Sequence, residues 1–307
     1  MHRVPGHRFG GTHTDEKLAI LSNYMRAYTT ALKNQGFALA YVDAFAGSGD
    51  RVETKPALPL FDGDDEPKII TVPGSARLAL ATQPPFEVLV LVETDATRRK
   101  ELDRLKTEWP DRKIVVHPQD ANATVRQLCT GLPWRGSSTL PGGMRCLMFL
   151  DPYGMEVDWP TVQAIADTDA IDLWYFFPLM GLYRQASLEM PRIDAVKQRR
   201  LDAVLGTNDW RNQWYGTPYG PTTLFADPAT SVRTADVNAI EKYVGDRLRS
   251  TFKGPVLPPR RIHNARGSPL ASLFFAVANP NPKAGALAKR MAGHILNSGS
   301  SSHTLSR

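Results

Sequence analysis

Cysteine is nearly absent: of 307 residues only Cys129 and Cys146 carry a thiol, and neither stands in a C-x-x-C pair. The sequence therefore offers neither a zinc ribbon nor a disulfide framework, and no metal site is expected. Two small buried thiols in a reducing compartment is the reading that remains. Also missing is an apolar run long enough to span a bilayer. The first residues, Met1-His2-Arg3-Val4-Pro5-Gly6, lack the hydrophobic stretch of a secretion signal, so a cytoplasmic protein without membrane association is expected. Acidic residues run out after Asp246, whereas Arg247, Arg249, Lys253, Arg260, Arg261, Arg266, Lys283, Lys289 and Arg290 follow. With a net charge of +6, this one-signed end suits a phosphate-bearing partner such as nucleic acid, or else forms a solvated basic face. No internal repeat is visible.

What is present is ordinary for a globular chain with a real core: 42% hydrophobic and 22% charged residues. The length allows one large α/β domain with insertions or two modest ones. The organising stretch is Tyr41-Val42-Asp43-Ala44-Phe45-Ala46-Gly47-Ser48-Gly49, an apolar run that ends in an aspartate and a glycine turn. Glycine permits positive φ and a close approach of backbone to ligand, and open α/β sheets bind ligands at the carboxyl ends of their strands. A dinucleotide fingerprint needs a third glycine where this chain has Val52. Asp43 would also set a carboxylate against a pyrophosphate. S-adenosylmethionine (SAM) is the better match, because its ammonium and sulfonium favour an acidic neighbour.

The remaining elements follow in order. Ile20, Leu21, Tyr24, Tyr28, Ala31 and Leu32 place an apolar stripe on a helix from about Thr14 to Asn34, expected to cover the ligand site. Strand one spans about Ala38 to Phe45. Asp50 to Val72, broken by Pro56, Pro59, Gly63 and Pro67 and holding Asp62, Asp64, Asp65 and Glu66, reads as an inserted loop or short hairpin, a flap over the site. Its acids lack the spacing of a calcium loop. Ser75 then caps the next helix or touches ligand at its N-terminus. Strands at Glu87–Val92 and Lys113–His117 deliver Glu93 and Asp95, then Asp120 and Asn122. A strand-tip carboxylate can accept from both hydroxyls of a ribose, which points to Glu93 with Asp95 as the alternative. Asp120 and Asn122 suit an adenine amino group, while Asp95 and Asp120 each also fit a helix cap. Arg145–Leu150 is a fourth buried strand and delivers Asp151-Pro152-Tyr153-Gly154. There a carboxylate can hold or deprotonate an amino group and a tyrosine can stack on a heterocycle. A fifth strand covers Ala170–Phe177. Ile193–Leu205 reads as a helix, and Asp209 to Tyr219 as an aromatic and polar piece, either packing or a substrate platform. Arg260–Asn264 and Leu270–Ala278 form an antiparallel pair ahead of a helix at Lys283–Leu296.

This succession is similar to the seven-stranded Rossmann-like methyltransferase architecture: an α/β fold, mostly parallel, with helices on both faces and an antiparallel C-terminal hairpin. The Tyr41–Gly49 stretch, Gly74-Ser75, Phe149-Leu150-Asp151-Pro152-Tyr153-Gly154-Met155, Ile171-Asp172-Leu173-Trp174 and Gly206-Thr207-Asn208-Asp209-Trp210 together resemble the bacterial three-Cys-motif partner family, TcmP. The resemblance implies a SAM-dependent methyltransferase working with a three-Cys-motif protein. Asp151-Pro152-Tyr153 is similar to the D-P-P-Y signature of methyltransferases acting on exocyclic amino groups of bases, with one proline missing and a glycine after the tyrosine. The expectation is thus a cofactor site of Asp43, Phe45, Ala46, Gly47, Gly49, Ser75, Glu93, Asp95, Asp120 and Asn122, and a catalytic group of Asp151, Pro152 and Tyr153. A non-catalytic SAM- or nucleic-acid-binding subunit is the alternative. The expected organisation is a helical cover (1–36), a SAM-binding core (37–178, with the 50–72 insertion), a helical and aromatic insertion for substrate recognition (179–255), a hairpin and helix completing the sheet (256–297), and a disordered tail (298–307).

Overall fold

A computed structural model describes residues 12–55, 68–216, 231–264 and 267–298. Helix α1 (Thr12–Leu32) leads into β1 (Ala38–Asp43), and the hairpin β2 (Asp50–Lys55)–β3 (Lys68–Pro73) follows. Then come α2 (Ser75–Ala81), β4 (Val88–Val92), α3 (Ala96–Glu108), β5 (Ile114–His117), α4 (Ala121–Gly131), β6 (Met144–Leu150), α5 (Trp159–Asp167) and β7 (Ile171–Phe177). An annex contains α6 (Leu179–Gln185), α7 (Ala195–Leu205), α8 (Trp210–Trp214), the short pair β8 (Tyr215–Gly216) and β9 (Val232–Arg233), and α9 (Val237–Thr251). The chain closes with β10 (Arg260–His263), β11 (Pro269–Val277) and α10 (Pro282–Ser298).

Seven strands form one sheet in the order β10-β11-β7-β6-β1-β4-β5. From β7 to β5 every neighbouring pair is parallel, and β11 runs antiparallel to both β7 and β10. This is the strand order and direction of a Rossmann-like methyltransferase sheet, with its C-terminal hairpin at one edge. The central strands are apolar on both faces because both faces are covered. Along β1, Leu39 and Tyr41 join a core with α1, α2, α3 and α10, while Ala40 and Val42 join a core with α4, α5, α7, α8 and α9. The first core is strongly aromatic, with Tyr24, Trp174 and Phe275 in mutual ring contact.

Several boundaries differ from expectation for local reasons. β1 stops at Asp43, since Ala44 and Phe45 already belong to the turn that Gly47 completes. The 50–72 insertion is a β-hairpin standing outside the main sheet, and its acid cluster at 62–66 lies outside the described residues, as does the tail beyond 298. In the aromatic run, Trp210 and Trp214 are fully buried and contact each other, and Trp210 donates to Asp202 at 2.7 Å. These rings pack the annex; Tyr219 lies outside the described residues. Among the described residues no helix is long and apolar enough to cross a membrane.

Candidate functional site at the strand tips

The strand order turns around between β1 and β6: β4 and β5 lie on one side of β1, β6 and β7 on the other. In such sheets the crevice at the turnaround, beyond the carboxyl ends of the strands, is where ligands bind. Asp43 pairs in register with Phe149, so the Gly47 turn and Asp151 stand side by side there.

The turn is built by two glycines with different jobs. Gly47 has φ of 60°, and a Cβ there would meet only the Tyr153 hydroxyl, 3.8 Å away, within van der Waals reach. That face of the backbone is open to a ligand. Gly49, with φ of 81°, is pressed against α3: its Cβ would lie 3.1 Å from Leu105 and 3.3 Å from Leu102. Gly49 is thus a packing glycine, and its carbonyl accepts from the Gly74 amide at 2.9 Å. Ala46 is buried and enters through its backbone, its amide donating to the Val92 carbonyl at 3.0 Å.

Asp43 is sealed beneath this turn with no exposed surface. It accepts from the Phe45 amide and the Tyr41 hydroxyl, each at 3.2 Å. Burial pushes its pKa from 3.8 up to about 6, and the Asp151 charge adds to that rise, while the hydrogen bonds oppose it. The Asp43 carboxylate thus lies enclosed beneath the turn rather than on the surface of the crevice. Ser75 does not cap the helix: the N-cap of α2 is Gly74, and Ser75 is the first helical residue.

On the β4 and β5 side the acids are largely committed. Glu93 is buried; its Oε1 accepts from the Asp95 amide at 2.8 Å, and its Oε2 lies 3.6 Å from the Arg98 guanidinium. Asp95 caps α3 through the Arg98 amide at 2.9 Å, and Asp120 caps α4 through the Ala123 amide at 2.9 Å. Asn122 is buried and holds the loop before α5, donating to the Glu156 carbonyl at 2.8 Å and accepting from the Asp158 amide at 2.9 Å and the Thr161 hydroxyl at 2.8 Å. Of these four, Asp95 and Asp120 cap helices, Asn122 is a loop clamp, and Glu93 is buried between the Asp95 amide and Arg98.

On the β6 side, Pro152 is buried and Tyr153 is 58% exposed. The Tyr153 ring leans back over the turn, its hydroxyl accepting from Arg98 at 2.9 Å with the guanidinium carbon 5.1 Å from the ring centre. Asp151 holds Lys17 of α1 at 2.6 Å, and the Lys17 ammonium also lies 4.3 Å from the centre of the Phe176 ring. Lys17 and Arg98 went unnoticed in the sequence, yet both carried a signal. Lys17 shares the helical face of Leu21, Tyr24 and Tyr28, and Arg98 that of Leu102 and Leu105, so each is a cation in register with a buried stripe.

Four cations of the basic C-terminal stretch are paired within the chain: Arg249 with Asp246, Lys253 with Asp169, Arg260 with Glu16 and Arg261 with Glu241. Two cavities, about 430 Å³ between α1 and α10 and about 280 Å³ beside Gly254 and Asn279, lie away from the strand tips and contain no carboxylate in their walls. Both thiols are buried, and burial pushes that of Cys129 up to about 12.

No family model matches the chain, nor does any curated protein. Among solved structures it is similar to protein LPL1258 of Legionella pneumophila str. Philadelphia 1, of the DUF519 family, at 13% identity over 94% of each chain with a TM-score of 0.49. A SAM-dependent methyltransferase from Clostridium acetobutylicum is similar at 9% identity, with 84% of this chain and 91% of that one covered and a TM-score of 0.37. The putative methyltransferase yhhF from Escherichia coli is similar at 12% identity, with 58% and 76% covered and a TM-score of 0.32. Likenesses of this size are too slight to carry an argument; strand order and direction define the fold.

Proposed function

We propose that the protein is a SAM-dependent methyltransferase acting on an amino group of a planar acceptor, a nucleic-acid base above all. The observation that carries this reading is the crevice at the sheet's turnaround: an open-faced Gly47 turn ringed by Asp43, Glu93 and Asp151. The residues fit this cofactor. The absent Cβ of Gly47 leaves room for a chain laid against the backbone, and the buried Asp43 carboxylate beneath favours a cationic group above it. Glu93 is positioned for a ribose diol, its Oε2 held only loosely by Arg98. The turn runs into β2 rather than into a helix, so it lacks the helix N-terminus that a pyrophosphate would use. That argues against a dinucleotide.

Bound here, SAM would supply an electrophilic methyl group on its sulfonium. The protein's share is positioning. Asp151 would accept a hydrogen bond from the acceptor's amino group and take up its proton, Pro152 would fix the loop, and the exposed Tyr153 ring would stack on the heterocycle. A three-Cys-motif partner and the bacterial TcmP family belong to this reading through the resemblance in sequence. The first test is calorimetric titration with S-adenosylhomocysteine (SAH): binding is expected, and none at millimolar ligand ends the proposal. Methyl transfer from labelled SAM into cellular nucleic acid tests the acceptor.

One observation favours a second reading, a binding subunit that does not turn over: Lys17 already sits on Asp151. That subunit would bind SAH and yield no methylated product, alone or with its partner.

A further inference from the structure

We propose that Lys17 is itself a methyl acceptor of this site, so that the protein modifies its own first helix. The inference rests on the reading above and adds a modification site to it. The seat on Asp151, where an acceptor amine would be held, is occupied by an amine: the Lys17 Nζ donates to Asp151 Oδ2 at 2.6 Å. The side chain is only 10% exposed. Among the described residues Asp151 is the one hydrogen-bond partner of that nitrogen. On its other side lies the Phe176 ring, 4.3 Å away at the end of β7, and an aromatic face accommodates an alkylated ammonium as well as a bare one.

Stability is a weak reason for this arrangement. A largely desolvated ion pair gains little over apolar packing, because removing both charges from water offsets their attraction. Position is the better reason. The face that carries Lys17 also carries Leu21, Tyr24 and Tyr28, all buried, and Tyr24 donates to the buried Asp172 at 2.6 Å. The helix is therefore anchored two turns below, and it presents the amine at the tips of β6 and β7 from a rigid support. The β6 tip adjoins the Gly47 turn on β1, where the reading above puts the methyl donor.

The step balances. The Lys17 ammonium gives a proton to Asp151 and on to water, the freed nitrogen lone pair forms a bond to the methyl carbon, and the carbon–sulfur bond breaks. SAH departs as a neutral sulfide, and the product is a methylated lysine ammonium.

The test uses the full chain with SAM as donor and no other acceptor, followed by peptide mass mapping. The expected result is a peptide containing Lys17 that is heavier by at least one methyl group, absent from Lys17→Arg and from Asp151→Asn, with both variants still binding SAH. A second measurement needs no donor: acylation by an N-hydroxysuccinimide ester should be slower at Lys17 than at exposed lysines such as Lys100, and faster in Asp151→Asn. Unmodified Lys17 in protein that binds SAH overturns the self-methylation and leaves the methyltransferase reading standing. Failure to bind SAH overturns both. Lys17 acylated as fast as Lys100 would also overturn it, since the amine would then not be seated.

Discussion

Two sides of one row of strand tips use their carboxylates in opposite ways. Beyond β4 and β5, Asp95 and Asp120 accept from backbone amides of the helices they precede, and Glu93 accepts from the amide of Asp95. Beyond β6, Asp151 is held by a side chain, the ammonium of Lys17, which can leave. The difference follows from the distance between strand end and helix start. α3 begins at the residue after Asp95 and α4 at the residue after Asp120, so each acid falls on the N-cap, where a carboxylate is favoured. α5 starts only at Trp159, with Asp158 at its N-cap position, so Asp151 has no helix to cap. An acid at a strand tip is free for chemistry when the next helix starts late.

The largest effect should come from breaking the β6 side. Asp151→Ala is expected to lower methyl transfer at least a hundredfold, the usual worth of a positioned base, while SAH affinity stays within about threefold. Single-turnover rates and calorimetry check the two halves separately. Equal loss of both would make Asp151 a structural residue and erase the contrast.

The fold was legible in the sequence because buried strand segments such as Val88–Val92 and Cys146–Leu150 are continuously apolar, and a glycine turn follows the first strand. Three acids at strand tips were legible as acids but ambiguous in role, since a cap and a ligand contact ask for the same residue type. The depth of Asp43 was not legible, because sequence does not show burial: its carboxylate is enclosed with no exposed surface and held by Tyr41 and Phe45, both near it in the chain. Lys17 and Arg98 reach the crevice from helices whose apolar stripes drew attention to the leucines and tyrosines around them.

Asp43 lies beneath both sides and provides the next effect. Its pKa is raised from 3.8 to about 6, as is that of Asp172. Below pH 4 both states are protonated. Between about 4 and 6 the folded protein keeps protons that the unfolded chain has released, so stability falls as pH rises through this window and levels off above it. Each fully buried group accounts for roughly 3 kcal/mol of that decline. Denaturant titrations across the window should show stability falling less with rising pH in Asp43→Asn than in the unsubstituted protein, and less again when Asp172→Asn is added. An unchanged slope would mean that neither carboxyl is buried as described.

On the β4 side, Glu93→Gln keeps the size and one acceptor oxygen but removes the charge. If Glu93 holds a ribose diol, SAH affinity should fall about tenfold or somewhat more, the worth of a charged hydrogen bond. Thermal stability should change little in comparison, because the amide oxygen still accepts from Asp95.

Asp120→Ala is the smallest effect and the sharpest check on the contrast. Asp120 is exposed and its Oδ1 accepts from the Ala123 amide at 2.9 Å, closing one of the open donors at the start of α4. Losing such a cap typically costs about 1 kcal/mol, or about 1–2 °C in Tm for a chain of this size. If capping is its whole duty, SAH affinity in the variant is unchanged and the loss appears in the melting curve alone. Asp120→Asn, which retains a cap acceptor, should restore most of the Tm. A drop in SAH affinity shared by both variants would instead place the Asp120 carboxylate on the cofactor, and the β5 tip would then belong with β6 rather than against it.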